Sequence, residues 1–282
     1  MFAYVIIHFG DNIKYLEYEI YSILMLKSIS NHDIIYMYSS IDTPEIFVKT
    51  IKNMGIKTKS FNDSILFKKS QAFTSFYKQF NLLRICCFIY ANTLIQYDKI
   101  CIVESDILLS KGFNNVFDLK VPSVYFHNDN INVATKNSKI ILDKTEMLKV
   151  CNNSKKSPIN GGVMLFKPDK NILKNFEKYI DIMLENKCIF PNEILFLLIY
   201  DKIYNLPINY NIRKYMDFPN VEIYGRHFDC TTYKALDIIK DDYIDKIKTP
   251  IVKKSVKHFK KKYYDKYNKE ISMIINSVKT KL

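Results

Sequence analysis

The chain opens with an uninterrupted apolar run, Phe2-Ala3-Tyr4-Val5-Ile6-Ile7, which Gly10-Asp11-Asn12 breaks. A run this short, rich in β-branched and aromatic residues and closed by a turn signal, predicts a strand buried on both faces. The apolar stretch at 15–28 is long enough for a helix, and Asp33-Ile34-Ile35-Tyr36-Met37-Tyr38 repeats the strand pattern, which makes a βαβ unit. Residues 44–54 read as a second helix, Gly55 as its C-terminal stop, and Ile56-Lys57-Thr58 as the entry to a third strand. A long helix over 73–94 then leads into an apolar strand beginning near Tyr97. Strands alternating with helices predict an α/β fold with an open, mostly parallel central sheet, whose ligands bind outside the carboxyl ends of the strands.

Two later regions depart from this alternation. Residues 128–157 are polar, rich in Asn and Lys and poorly patterned, and read as a loop over the site. After Pro250, Val252, Val256, Phe259, Tyr263 and Tyr267 recur at helical spacing among Lys253, Lys254, Lys257, Lys260, Lys261, Lys262, Lys266 and Lys269. The expected organisation is one domain over 1–248 followed by a basic helical tail over 249–282.

Composition changes the picture in three ways. A chain of 282 residues with 48% apolar and 25% charged residues can bury a full core, which excludes global disorder. The formal charge of +13 favours phosphate-bearing partners. Much of that excess lies in the tail, where two readings stand: a solvated helix packed by its apolar stripe, or contact with a membrane surface. No specific nucleic-acid motif accompanies the charge. The six cysteines, Cys86, Cys87, Cys101, Cys151, Cys188 and Cys230, form no CxxC pair, which points to a reducing compartment. Residues 1–9 lack a basic leader, and no apolar stretch reaches the roughly 20 residues of a membrane span, so a cytoplasmic location is expected.

The candidate chemistry sits at the end of the strand that begins near Tyr97. Tyr97-Asp98-Lys99-Ile100-Cys101-Ile102-Val103-Glu104-Ser105-Asp106 ends on two carboxylates one residue apart, which face the same way on extended backbone. Hard divalent cations such as Mg²⁺ and Mn²⁺ take such oxygens together with substrate phosphates, although a polar strand exit gives the same letters. Neither GxGxxG nor GxxxxGK[ST] occurs, so a nucleotide would be held by other means. In a chain with only six glycines, Asn160-Gly161-Gly162 directly before the apolar run Val163-Met164-Leu165-Phe166 marks a sharp bend or a close approach. Asn160 adds an amide able to donate to sugar hydroxyls.

The order of these pieces resembles the retaining glycosyltransferases of family 8, with glycogenin as the nearest type. The resemblance spans roughly residues 2–235 and rests on Ala3-Tyr4-Val5 with Asp11 and Tyr15 following, Tyr97-Asp98-Lys99, Glu104-Ser105-Asp106 in the place of DxD, Asn160-Gly161-Gly162-Val163, and Leu206-Pro207-Ile208-Asn209-Tyr210-Asn211 followed by His227-Phe228. It implies a single Rossmann-like GT-A domain, a UDP-sugar donor carrying glucose or a relative, Mn²⁺ with Mg²⁺ as second candidate, and a protein or glycan acceptor. It also implies a homodimer. By the same resemblance Asp106 and His227 are metal ligands with Glu104 in the place of the first Asp, and Tyr15, Asp11, Ser105, Asn160, Gly161, Gly162 and Lys234 bind the donor.

Two departures stand out. Lys234 falls near the lysine of HFxGxxK, but Cys230 replaces the Gly and one extra residue intervenes. Asn192-Glu193 stands where the family has Asp-Gln, which makes these two the candidate catalytic pair and moves the carboxylate by one position. In a glycogenin-like variant Tyr215 would be the self-glucosylated residue. A degenerate member that binds the donor without turnover is the remaining alternative. His8, His32, His127 and His258 read as structural or surface residues.

Overall fold

The computed structural model describes residues 1–61, 88–126, 134–136, 139–141, 159–172, 174–175, 178–179, 181, 191–200, 202–213, 220–228, 237, 239, 243–247 and 250–282. Among them the opening pattern appears as β1 (Phe2–His8), α1 (Ile13–Ile29), β2 (Asp33–Ser39), α2 (Glu45–Asn53) and β3 (Lys57–Phe61). Asn12 caps α1, its side-chain oxygen accepting from the Lys14 N–H at 3.0 Å. Gly55 ends the α2 turn with φ at +75°, a conformation that costs a residue with a Cβ.

The main sheet continues through β4 (Lys99–Val103), β6 (Ser123–Phe126), β7 (Ala134–Lys136), β8 (Lys139–Ile141), β9 (Ile159–Phe166) and β10 (Lys202–Asn205). Its order among the described residues is β3-β2-β1-β4-β9-β6-β10-β8-β7. β3, β2, β1 and β4 run parallel, as do β6 and β10, while β9 lies antiparallel between β4 and β6. A second, small sheet joins β5 (Ile107–Leu109), β12 (Gly225–His227) and β11 (Ile212–Arg213).

Both faces of the sheet's centre are covered, which is why β1, β2 and β4 read as nearly continuous apolar runs, while the edge strand β3, Lys57-Thr58-Lys59-Ser60-Phe61, does not. Tyr4, Ile6, Tyr36 and Val103 face a cluster built by α1, α2 and the C-terminal helices. Ala3, Val5, Ile35, Ile100 and Ile102 face the opposite cluster, which receives Ile194 to Leu198 of α3 (Pro191–Ile199).

The basic tail forms α4 (Pro250–Phe259) and α5 (Asp265–Lys279), joined by a π-helical segment, Lys260–Tyr264. Val252, Val256, Phe259, Tyr263, Ile271, Ile275 and Val278 are buried in the first cluster, with Tyr264 lying 6.2 Å from Tyr21 of α1. Packing by the apolar stripe therefore accounts for the tail's periodicity. No helix among the described residues is long and apolar enough to cross a membrane.

Three expectations need correction. The acidic strand is interrupted: Glu104 follows β4, Ser105 and Asp106 form a turn, and β5 begins only at Ile107. Gly161 and Gly162 lie inside β9, not ahead of a strand. Within 128–157, β7 and β8 are strands added to the edge of β10, each three residues long and so too short to show a period. Of the helix expected over 73–94, residues 88–91 are helical and 62–87 lie outside the described residues.

Candidate metal centre and ligand cleft

The second sheet explains how distant residues meet. β12 pairs antiparallel with β5, setting His227 opposite Ile107, and the Phe228 N–H donates to the Asp106 carbonyl at 3.0 Å. This register carries the imidazole to the turn that holds the two acids. His227 Nε2 lies 3.2 Å from Glu104 Oε2 and 3.1 Å from Asp106 Oδ1. One candidate ligand atom from each of the three residues falls within 4.8 Å of the others. Asp106 and His227 are buried, and Glu104 is partly exposed toward the cleft.

The other ring nitrogen is fixed from behind. His227 Nδ1 lies 2.9 Å from Asn160 Oδ1 and 3.1 Å from Asn211 Oδ1, both oxygen acceptors, so Nδ1 carries the proton. Asn160 Oδ1 also accepts from Asn211 Nδ2 at 2.8 Å and from the Gly162 N–H at 3.0 Å. This is the support a ligating histidine needs: one nitrogen held by protein oxygens, the other aimed at the ion. Gly162 makes room for the ring, since a Cβ there would stand 2.5 Å from His227 Nδ1 and closer still to Cε1. The expected close approach at Gly-Gly is thus made to a side chain of the same chain.

Burial disfavours charge on His227, but the Asp106 and Glu104 carboxylates outweigh it and push the ring's pKa up to about 10. The two carboxylates thus make the position of Nε2 favourable for positive charge. Two carboxylates and one imidazole suit Mn²⁺, which accepts nitrogen more readily than Mg²⁺ does, and the donor set fits such an ion.

In front of this centre lies a cleft at the carboxyl ends of β1 and β4, lined by Phe9, Tyr15, Tyr18, Glu104, Ser105 and Gly161 among others. The Ser105 carbonyl accepts from Ser22 Oγ at 3.2 Å, tying the acidic turn to α1. Glu193, in the first turn of α3, accepts from the Gly161 N–H at 3.0 Å, which sets a carboxylate beside the cleft wall. Asp11 is exposed at the β1–α1 turn and is not among the cleft-lining residues. Asn192 belongs to the same first turn of α3, while Lys234 and Tyr215 lie outside the described residues.

Sequence reasoning passed over three contributors. Glu19 lines the cleft and is buried against His8, whose Nδ1 donates to it at 2.7 Å while Nε2 donates to the Gly10 carbonyl at 2.9 Å. Burial resists charge on His8, but Glu19 more than compensates and raises the ring's pKa. Tyr36 completes the group, donating to Glu19 at 3.0 Å. The signal was available: Glu19 is an acid within the buried stretch of α1. Tyr18 also lines the cleft and donates to Asp237 at 2.6 Å. Asn211 was legible only as the last letter of a motif.

Comparison with known proteins places the fold. No family model matches the chain. Uncharacterized protein R707 of Acanthamoeba polyphaga mimivirus is 24% identical over 259 residues, covering 86% of this chain and 84% of that protein. Among solved structures, the galactosyltransferase LgtC in complex with donor and acceptor sugar analogues superposes with a TM-score of 0.54 at 11% identity, covering 83% of this chain and 88% of LgtC. The bifunctional glycosyltransferase WbbM gives a TM-score of 0.56 at 13% identity over 91% of this chain. GlyE of Streptococcus pneumoniae TIGR4 gives 0.52 at 14% identity over 98% of this chain. The chain spans about half of WbbM (51%) and 63% of GlyE. The fold is the GT-A glycosyltransferase fold, a mostly parallel α/β sheet with C-terminal helices.

Proposed function

We propose that the chain is a metal-dependent retaining glycosyltransferase of the family 8 kind, which transfers a sugar from a UDP-sugar to a protein or glycan acceptor. The observation that carries this reading is the convergence of Glu104, Asp106 and His227 beside a cleft at the carboxyl ends of β1 and β4 in a GT-A fold.

Breaking a sugar–diphosphate bond leaves negative charge on the departing nucleotide. A divalent ion, when bound, supplies the opposing charge as that bond breaks. Asp106 and His227, with Glu104, would hold it. Asn160 and Asn211 keep Nδ1 of His227 protonated and its plane fixed, so that Nε2 meets the ion without a search. Tyr15 and Tyr18 supply aromatic surface to the cleft for the nucleoside. Glu193, anchored through the Gly161 N–H, is the acid proposed to offset positive charge developing at the anomeric carbon.

Purified protein incubated with Mn²⁺ and a panel of UDP-sugars should release UDP with at least one donor and lose that activity with chelator. Absence of release with every donor, together with absence of metal-dependent UDP binding, would refute the proposal. Intact mass after the same incubation separates self-glucosylation from transfer to a second molecule.

A further inference from the structure

A second concavity lies away from the cleft, on the helical face of the molecule. It is a groove of about 870 Å³ running between α2 and α5, with the end of α1 at its floor. Five lysines line it, Lys27, Lys49, Lys266, Lys269 and Lys281, against the single acid Glu270. All five are exposed. Between them the lining mixes apolar Leu24, Ile46, Met54, Met273 and Ile274 with polar Thr50, Asn53 and Ser277. Met273 is 64% exposed, an unusual position for a large apolar side chain in the middle of a cationic rim.

Shape, floor and rim each restrict the occupant. The lining positions of α5 run from Lys266 to Ser277, with Lys281 just beyond its end, and those of α2 from Ile46 to Asn53, with Met54 directly after it, recurring on one face of each helix. Such a channel between two helices accepts a third helix by packing ridges into grooves. At about 1.5 Å per residue the α5 side is about 17 Å long, three turns of a helix. Methionines at 54 and 273 give the groove side chains that adapt to an incoming apolar stripe. The lysine rim asks for carboxylates along the edges of that stripe. Nucleic acid would use the rim and waste the floor. A second copy of this chain, formally +13, would bring like charge.

We propose that this groove docks an acidic amphipathic helix of a partner protein, apolar face on Met54, Ile46, Met273 and Ile274, carboxylates toward Lys49, Lys266 and Lys269. The inference does not depend on the transferase reading, because no residue of the groove belongs to the cleft or the metal centre.

The probe is a blocked, fluorescein-labelled peptide of about four helical turns, with Leu on one helical stripe and Glu at the remaining positions. It is titrated with the full chain and followed by anisotropy. Saturable binding is expected, weakened about tenfold or more by the exposed double variant Lys49→Glu/Lys269→Glu. Met273→Glu should weaken it comparably. A peptide of the same composition, scrambled to destroy the stripe, should bind at least tenfold more weakly. Failure to saturate, equal binding of the scrambled peptide, or wild-type affinity in either variant overturns the proposal. So does flotation with anionic vesicles that Met273→Glu abolishes while the peptide fails to bind, since the face would then be a membrane surface. Manganese binding, measured on the same variants, should remain at the wild-type level and reports that the metal centre is intact.

Discussion

Gly162 is the position where one methyl group should separate the fold from the metal centre. In Gly162→Ala the new Cβ would lie 2.5 Å from His227 Nδ1 and 3.0 Å from Asn160 Oδ1, where ordinary contact begins at 3.4 Å. The nearest ring atom, Cε1, would stand at 2.4 Å, so relief requires the ring to move by about 1.0 Å, the difference between 3.4 and 2.4 Å. The ring cannot do so freely, because Asn160 and Asn211 hold Nδ1 at 2.9 and 3.1 Å while Nε2 already stands 3.1 Å from Asp106. Metal–ligand distances tolerate about 0.2 Å, so a displacement several times larger removes His227 from the coordination sphere or misdirects it. Loss of a ligand's supporting geometry costs about 10- to 100-fold in affinity, or about 1.4 to 2.8 kcal/mol. Overpacking of the buried β9 position adds about 1 to 3 kcal/mol of destabilisation. The assay is Mn²⁺ titration by calorimetry on wild type and Gly162→Ala, with thermal melting of both in chelator to confirm that the variant is folded. A folded Gly162→Ala protein that binds Mn²⁺ as tightly as wild type refutes the reasoning.

Asp106→Ala should lower UDP release by about 100- to 1,000-fold, the cost of about 3 to 4 kcal/mol at the transition state, with the fold retained by circular dichroism. Asn211→Ala leaves Asn160 as the acceptor for Nδ1 and should weaken Mn²⁺ about tenfold, read by the same calorimetry. Glu19→Gln should destabilise the chain by about 3 kcal/mol near neutral pH, because His8 is left as a buried charge without its counter-ion. His8 is raised above its ordinary pKa, so the stability its ion pair contributes is fully present below about 6.5 and is lost as pH rises through the raised value. The melting difference between wild type and Glu19→Gln should therefore shrink above that pH, and a difference that widens would contradict the pairing.

The first hundred residues were readable because strands covered on both faces are short apolar runs and helices with one covered face are periodic. β1, α1, β2 and α2 all fall within a residue or two of the expected bounds. The acids and His227 were legible as letters in order. Their meeting was not, because it depends on β5 and β12, three residues each, whose pairing is tertiary and leaves no period in the sequence. Gly161-Gly162 was read as a sharp bend or a close approach, but nothing in a glycine pair reveals that what approaches is a ring 65 positions away. Asn160 was expected among the donor-binding groups, and its Oδ1 is engaged by three donors within the chain. Glu19 escaped because its partner His8 belongs to β1, and an acid in a helix reads by default as part of the wet face.

The pairing of His227 with Ile107 across the second sheet has a consequence for how the chain acquires affinity. A loop of more than one hundred residues must close before the imidazole reaches the acids, and that closure carries an entropic cost. No partly folded form that lacks β12 can assemble the three ligands. A divalent ion held by these three residues would therefore favour the native state selectively and would stabilise it by mass action, about 2.7 kcal/mol at a hundredfold excess over its dissociation constant. On the proposed reading, the cation concentration around the protein would then set the population of the finished fold, whether or not a donor is bound.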